Sequence, residues 1–583
     1  PQHCAVLGVA SITTPTGAAV HRDWRCGCTV TWRHDTKGRN APEWVTHSDP
    51  VSVWRTLTEA TRSRGVLQVY AHRLGRALIL SDAFNVMAQL GWVVKRANVE
   101  DNFSSVSFTD GKRGMRLIDV STYFGDSLPV IERHMKRERG PLGGDGGSVS
   151  GPQERLRFDV DTVRLAVVSL HDYFKDHDLG NFGASGAACG WALWRHRHYT
   201  HKVICHDDTA ALEAEATSAY MGRNEAWRRG VRMAGPFFQW DMSSAYPRVA
   251  AQVDLPWKLA TQCKRILEGR TKGLHDRYRV LYRARVETDV PVVPWRDATG
   301  ICWPVGTFTS LLWDVEVDAA MAAGAVITPQ YHWLYNKAPV LRSWAQWSLD
   351  RIALGTDGAP WAVPLWIKAQ SRGVIGKFAC AYPELKAVAY TGDLVPQVNG
   401  LLELETGERG RSCVLSGTVF EALGRQLSRD AFPAMNSAIV AECRVRMWKA
   451  LQAIPPGDVV QMHTDGIWVN RDGHGAMWDH AEANPEHGWR EKRKSKWLTV
   501  HGPNSVEWDD GRAMAGVPNR ATRTGGESFR GEQWEGAATA LARSGGGGFR
   551  DLKREWIAPR LDTRRNSDGS PIRVTEDVRE PSR

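Results

Sequence analysis

Asp241-Met-Ser-Ser-Ala-Tyr246-Pro247 follows the apolar stretch Phe237-Phe-Gln-Trp240, so a carboxylate falls where a strand gives way to a helix-like turn. An aspartate at such a place is ordinarily a cap. Two further segments give it another meaning. Lys368-Ala-Gln-Ser-Arg-Gly-Val-Ile-Gly376-Lys377 carries cations at both ends. His463-Thr-Asp465-Gly466 lies within VVQMHTDGIWV (459–469), which is predicted as two short strands with Asp465-Gly466 at the tip of the turn. Between these last two, PAMNSAIVAECRVRMWKAL (433–451) is predicted as a helix.

The bulk properties suit a polyanionic partner. The 583 residues carry a net charge of +10, and clustered lysines and arginines that neutralise phosphates release condensed counterions. The hydrophobic content of 42% is that of a globular chain of several domains. No apolar run reaches the roughly 18 residues of a membrane span, and the first residues lack the pattern of a signal peptide. Ten scattered cysteines fit reduced thiols and a cytoplasmic location better than a disulfide framework. The start at Pro1, with no methionine before it, reads as a trimmed or partial beginning.

In order and spacing the three segments resemble motifs A, B and C of family B DNA polymerases, which read roughly D-x-x-S-L-Y-P, K-x-x-x-N-S-x-Y-G-K and Y-x-D-T-D-S. The resemblance implies nucleotidyl transfer with two divalent ions, Mg²⁺ by preference and Mn²⁺ as a substitute, about 3.5–4 Å apart. Asp241 and Asp465 match the metal-binding, catalytic aspartates. Tyr246 matches the tyrosine beneath the incoming sugar, and Lys368 the lysine that meets the triphosphate. Lys377 and Arg351 are further candidate nucleotide ligands.

Other stretches resemble the protein-primed enzymes of phages, linear plasmids and organelles. Ala219-Tyr220-Met-Gly222-Arg223 is similar to their Y-x-G-G/A segment, which implies template contact by Tyr220, Gly222 and Arg223. Leu117–Phe124 with Asp126-Ser127-Leu128 resembles a strand-binding stretch of their exonuclease domain. The basic run Arg490-Glu-Lys-Arg-Lys-Ser-Lys496 overlaps their K-x-Y site at the primer end; Lys494 and Lys496 both qualify. The implied partners are primer–template DNA, deoxynucleoside triphosphates and a terminal priming protein, with the enzyme itself a monomer.

The chain departs from the family at its proofreading acids. Where D-x-E is expected stand Ala10 and Ile12; the second motif is His72-Arg-Leu-Gly-Arg-Ala77, with no acid; in the third, Asp161 remains but Arg157 replaces the tyrosine. One carboxylate does not hold two Mg²⁺ ions against their hydration, so the 3′–5′ exonuclease is expected to be inactive. In the polymerase, His463 stands for the first acid of motif C, and its ordinary pKa of about 6.5 predicts pH-sensitive activity. In motif B, Arg372 stands for Asn and Ile375 for Tyr, which predicts altered base selection at Ile375.

The expected architecture is an α+β right hand. Residues 1–175 form a degenerate RNase H-like exonuclease domain and 176–235 a connecting segment; 236–500 hold palm and fingers, and 501–583 a thumb with a loose glycine-rich tail. Insertions are expected at 250–340 and 378–430, a flexible break at 140–152, and a basic surface strand at Arg195–His201. Two other functions fit the same residues: a polymerase-derived DNA-binding protein without activity, and a repair or lesion-bypass polymerase.

Overall fold

A computed structural model describes residues 2–16, 19–34, 41–62, 65–99, 103–125, 127–137, 151–203, 205–263, 271–297, 300–355, 362–390, 397–403, 409–428, 430–525, 527–544, 548–557, 564–566 and 568–575. Most of the expected break at 140–152, Asp126 and the side chain of Ile12 lie outside the described residues.

The N-terminal region is built on a long hairpin, Gln2–Thr16 with Ala19–His34, whose first strand also pairs in parallel with Val66–Ala71. Gly114–Asp119, Phe103–Thr109 and Val93–Val99 continue the sheet. Alternating apolar residues of the first strand serve two cores: Ala5 and Leu7 face one, Cys4 and Val6 the other. The helix Pro152–Asp176 packs on the second face, in agreement with its helical apolar spacing. Of the apolar stretches over 66–80, which read as buried strands, Val66–Ala71 is a strand and Leu74–Leu80 a helix, buried almost throughout. A short apolar run suits a buried helix as well as a strand, so periodicity does not decide between them.

A second, seven-stranded sheet runs Gly511–Met514, Ser505–Trp508, Trp489–Gly502, Gly230–Met242, Gly466–Val469, Val459–Thr464 and Arg223–Ala226. Helices Ala245–Gln252, Pro433–Ala453 and Arg471–Ala483 back it. Two helices, Arg342–Leu354 and Val363–Phe378, stand beside it as fingers. The two expected insertions carry sheets of their own. Leu255–Cys263, Val326–Ala338, Tyr278–Thr288 and Val305–Trp313 form one; Ala381–Tyr390, Thr418–Leu427, Arg409–Leu415 and Gln397–Glu403 form the other.

The C-terminal 501–583 stretch does not form one unit. Its first strands complete the palm sheet. Ser528–Trp534 and Phe549–Ile557 extend the N-terminal sheet, the latter pairing with Ala19–Arg22, and Arg573–Thr575 adds to the first insertion sheet. Glycine and arginine content suggested a loose tail, but strand pairing is decided by backbone partners distant in sequence. The basic run 490–496, a surface loop or helix face by charge alone, lies within the strand Trp489–Gly502, and the histidine-rich 194–198 stretch is a π-helical turn rather than a strand. Among the described residues no helix is long and apolar enough to cross a membrane.

Candidate active site

Two neighbouring strands bring the carboxylates together. Asp241 ends its strand opposite Gly466, and the Met242 N–H donates to the Asp465 carbonyl oxygen at 2.8 Å. The turn differs in detail from the expected Asp-Gly tip. Thr464 takes the left-handed conformation (φ 47°), held by its N–H donating to Asn224 Oδ1 at 3.0 Å. Gly466 is already in the next strand, where a Cβ would lie 2.9 Å from the His463 ring. Burial, with the Asp241 charge adding to it, raises the Asp465 pKa; Lys492 and Arg372 oppose the rise.

Lys492 is the cation of this corner. Its Nζ lies 2.9 Å from Asp241 Oδ1. The cause is a β-bulge: Glu491 opposes Trp240 and Arg493 opposes Gln239, so Lys492 is the extra residue, redirected towards the strand end. Of the two lysines expected at the primer end, Lys494 lies over the Phe238 ring at 5.4 Å and Lys496 is exposed with its N–H donating to Asp509; the lysine at the carboxylates is a third one.

Tyr246 opens the helix that follows Asp241, and burial pushes its hydroxyl up to about 12, with Cys443 and Asp465 adding to the shift. The charges of Asp465 and Arg372 both act on it, which puts motifs A, B and C in one electrostatic neighbourhood. On the fingers helix Lys368, Arg372 and Gly376 are exposed at i, i+4 and i+8, and so share one face. Ile375, seven residues on from Lys368 and so at the edge of the same face, is 2% exposed and packed in the core. Lys377 pairs with Asp430 at 3.6 Å and sits over Trp191; Arg351 lies over Trp347 and beside Tyr173. Neither has a recorded contact with the carboxylate corner.

His463 is half-buried and hydrogen-bonded to Gln239 Nε2 at 3.1 Å. Burial, with Lys492 adding to it, lowers its pKa, so it stays neutral at pH 7, against the expectation of titration near its ordinary value. Tyr220, Gly222 and Arg223 also differ from expectation. Tyr220 (3% exposed) bonds Ser310 Oγ at 3.0 Å, and Arg223 (1% exposed) pairs with Glu225, so both side chains are inside the protein rather than on a DNA-facing surface. Gly222 packs on the motif C turn, where a Cβ would lie 2.7 Å from Thr464 Cα.

A cleft of about 850 Å³ opens beside the corner, lined by Gln239, His463, Lys492, Arg493, Trp508 and Arg523 among others. Arg372 and Lys492 are the two cations that motif reading missed. The family's asparagine occupies the first position, and the second is aimed by a bulge that no spacing reveals.

The N-terminal pocket, about 320 Å³, lies where the first strand meets helices Leu74–Leu80 and Pro152–Asp176. Gly8, Val9, Ser11, His72, Arg73, Arg76, Ala77 and Val160 line it, and Asp159 is its acid. Ala10 faces a bulge in the second strand, where Arg25 is the extra residue. Asp161, expected to be the surviving proofreading acid, is held by Arg137 and Arg164 at 2.8 and 2.7 Å and is not in the lining; Arg157 lies over Trp44. Among the described residues no group of three or more His, Cys, Asp and Glu side chains is arranged to hold a metal.

This palm, with its fingers and an exonuclease-like sheet, is the organisation of a right-hand polymerase. No protein-family model and no curated protein matches the chain in sequence. Among solved structures it resembles Phi29 DNA polymerase. The complex with primer-template DNA and incoming nucleotide substrates superposes with a TM-score of 0.67 at 12% identity, covering 96% of this chain and 100% of that one. The complex with single-stranded DNA gives 0.66 at the same identity and coverage. At that identity the likeness establishes the fold: exonuclease-like domain, palm, fingers and thumb.

Proposed function

We propose that this chain is a template-directed DNA polymerase that adds deoxynucleotides to a primer 3′-hydroxyl and lacks 3′–5′ proofreading. The observation that carries the reading is that Asp241, paired with Gly466, is brought beside Asp465, whose carbonyl oxygen accepts from the Met242 N–H, with Lys492 at 2.9 Å from Asp241. The donor set fits divalent metal. Two carboxylates converge where burial and their mutual repulsion disfavour the second charge, and a lysine ammonium already stands in as counter-cation. Hard oxygen ligands suit Mg²⁺, with Mn²⁺ a substitute, and the remaining ligands would come from phosphate and water. When bound, the ions would lower the pKa of the primer hydroxyl and neutralise the triphosphate.

The chain's own residues supply the rest. Asp241 and Asp465 would hold the metals. Lys368 and Arg372, on one face of the fingers helix, receive the triphosphate, with Tyr246 beneath the sugar. The primer 3′-hydroxyl gives its proton to water, its oxygen bonds to the α-phosphorus, and the α–β bridging oxygen leaves with pyrophosphate. Lys492 is the ammonium of this corner that can meet the primer end or the phosphates. The N-terminal pocket, with Gly8 and Val160 facing each other and one acid in its lining, has too few carboxylates for two-metal hydrolysis. A role in phage or mobile-element replication follows from the motif resemblance; a priming protein on the insertion at 250–340 is carried over by position alone.

The test is extension of a labelled primer–template with Mg²⁺ and dNTPs, comparing wild type with Asp241→Ala and Asp465→Ala. Omission of dNTPs in the same gel reads 3′ trimming. Extension lost in both variants, with no trimming, is the expected result. No extension by the wild type with Mg²⁺ or Mn²⁺, from a nucleic-acid or a protein primer, overturns the reading in favour of a DNA-binding protein.

A further inference from the structure

We propose that Arg565, in the C-terminal segment, is a positioning residue for the motif C hairpin; the inference rests on the polymerase reading only for its effect on turnover.

The strand Arg223–Ala226 is the edge of the palm sheet, and it is the strand that supports the hairpin from outside. Thr464 pairs with Arg223 and Met462 with Glu225, and Asn224 of the same strand holds the left-handed Thr464 N–H. A non-glycine residue in that conformation persists only when its surroundings over-determine it. An edge strand has one neighbour, so its position depends on what lies beyond it.

What lies beyond is the C-terminal segment. Arg565 Nε lies 3.0 Å from Glu225 Oε1, while Arg223 Nε donates to Glu225 Oε2. One buried carboxylate is thus shared by two guanidinium groups, each on its own oxygen. The Arg565 guanidinium also covers the Trp227 ring at 4.1 Å, and its Nη1 donates to the Gly569 carbonyl oxygen at 2.8 Å. Trp227 itself is tied to the first hairpin strand, its N–H donating to Val460 O at 2.9 Å. The Trp227, Trp303 and Trp448 rings around Arg223 offset the extra positive charge.

The segment is anchored at its other end as well. The Val305 N–H donates to Ile572 O at 2.9 Å, and Arg573–Thr575 pairs in parallel with Val305–Thr307 of the insertion sheet. It therefore spans from the insertion sheet to the outer edge of the palm. Removing Arg565 leaves Glu225 buried with Arg223 as its sole cation. The pair then reorients, Trp227 loses its cover, and the strand under Thr464 is free to shift. Asp465 follows Thr464.

Two full-length variants test this. Arg565→Gln removes the charge; Gly569→Ala leaves it in place but puts a Cβ about 2.7 Å from the Trp227 carbonyl oxygen, at a residue with φ +83°, and so lifts the segment by a different route. Amide hydrogen exchange is measured at 460–467 and, as reference, at 2–10 in the N-terminal sheet. Primer extension is measured alongside. The expected result is faster exchange at 460–467 alone, with kcat down about 10- to 100-fold and KM for dNTP little changed, since a small misplacement of a reacting group costs rate more than binding. Arg565→Lys restores most of the loss. Unchanged exchange at 460–467 in both variants overturns the proposal, as does an equal rise at 2–10, which marks general loosening. Should the wild type fail to extend primers while 460–467 still responds, the polymerase reading falls and the support of the hairpin stands.

Discussion

The palm corner and the N-terminal pocket are both places where a strand meets helices around a cleft, and their side chains have gone opposite ways. In the palm, Asp241 and Asp465 are set against each other with a lysine between them and the solvent. In the N-terminal pocket the equivalent strand offers Gly8, Val9 and Ser11, and its cations are Arg73 and Arg76. Burial pushes His72 beside them down to about 4, so it adds no charge at pH 7. The palm corner sets two carboxylates against each other, whereas the N-terminal pocket has one acid among its described lining residues and arginines as its cations. On the proposed reading, one fold keeps both frames while only one keeps its chemistry.

The largest effect that would break this contrast is at the carboxylates. Asp465→Ala or Asp241→Ala is expected to lower extension by a factor on the order of 10³ or more, because each removes half of a two-metal clamp. Residual extension within tenfold of wild type would mean that the corner is not the reaction centre. The reverse experiment, restoring an acid to the N-terminal pocket with Gly8→Asp, is expected to yield no exonuclease activity. A Cβ at Gly8 would sit 2.3 Å from Val160 Cγ2, so overpacking should cost about 1–3 kcal/mol, read as a lower melting temperature.

Lys492 comes next. Its charge holds the Asp465 pKa down against burial and against Asp241. A raised carboxyl pKa means that ionisation, and with it metal binding, is lost as pH falls. Taking away the opposing lysine raises that pKa further, so in Lys492→Met the acid limb of the kcat/KM profile should move to higher pH. A loss of roughly 10- to 100-fold at pH 7 is expected on the scale of one removed electrostatic contact. An unmoved acid limb would show that Lys492 does not act on the carboxylates in solution. Arg372→Ala should act through nucleotide binding, raising KM for dNTP about tenfold while leaving primer–template affinity unchanged.

What was legible in the sequence follows from how local each signal is. Asp241, Tyr246 and Asp465 sit in short motifs whose backbone settings are strand ends and a tight turn, and the structure brings all three to one corner. Lys492 was not legible, because its direction is set by a bulge in the pairing of Trp489–Gly502 with Gly230–Met242. Tyr220 and Arg223 look like surface ligands in a linear motif, yet their partners are buried: Ser310 on the insertion sheet and Glu225 on the palm's edge strand. The C-terminal segment was misread for the same reason: its pairing partners are residues 19–22 and 305–307, hundreds of positions away.

The smallest expected effect tests which face of the fingers helix meets the nucleotide. Gly376 is exposed, and a Cβ there would meet nothing within 4 Å. Gly376→Ala should therefore stabilise the fold by about 0.5–1 kcal/mol, since alanine is the better helix former. If Lys368, Arg372 and Gly376 form the nucleotide face, the added methyl should also change KM for dNTP by up to about fourfold, one methyl being worth about 0.8 kcal/mol at a packed surface. Ile375→Ala is the matched control at the buried edge of that face. It should lower the melting temperature through a cavity costing about 2–5 kcal/mol, with no direct effect on nucleotide selection. A fidelity change from Ile375→Ala, with none in KM from Gly376→Ala, would move the nucleotide contact away from Gly376 and towards Ile375, where the sequence motif had put the base pair.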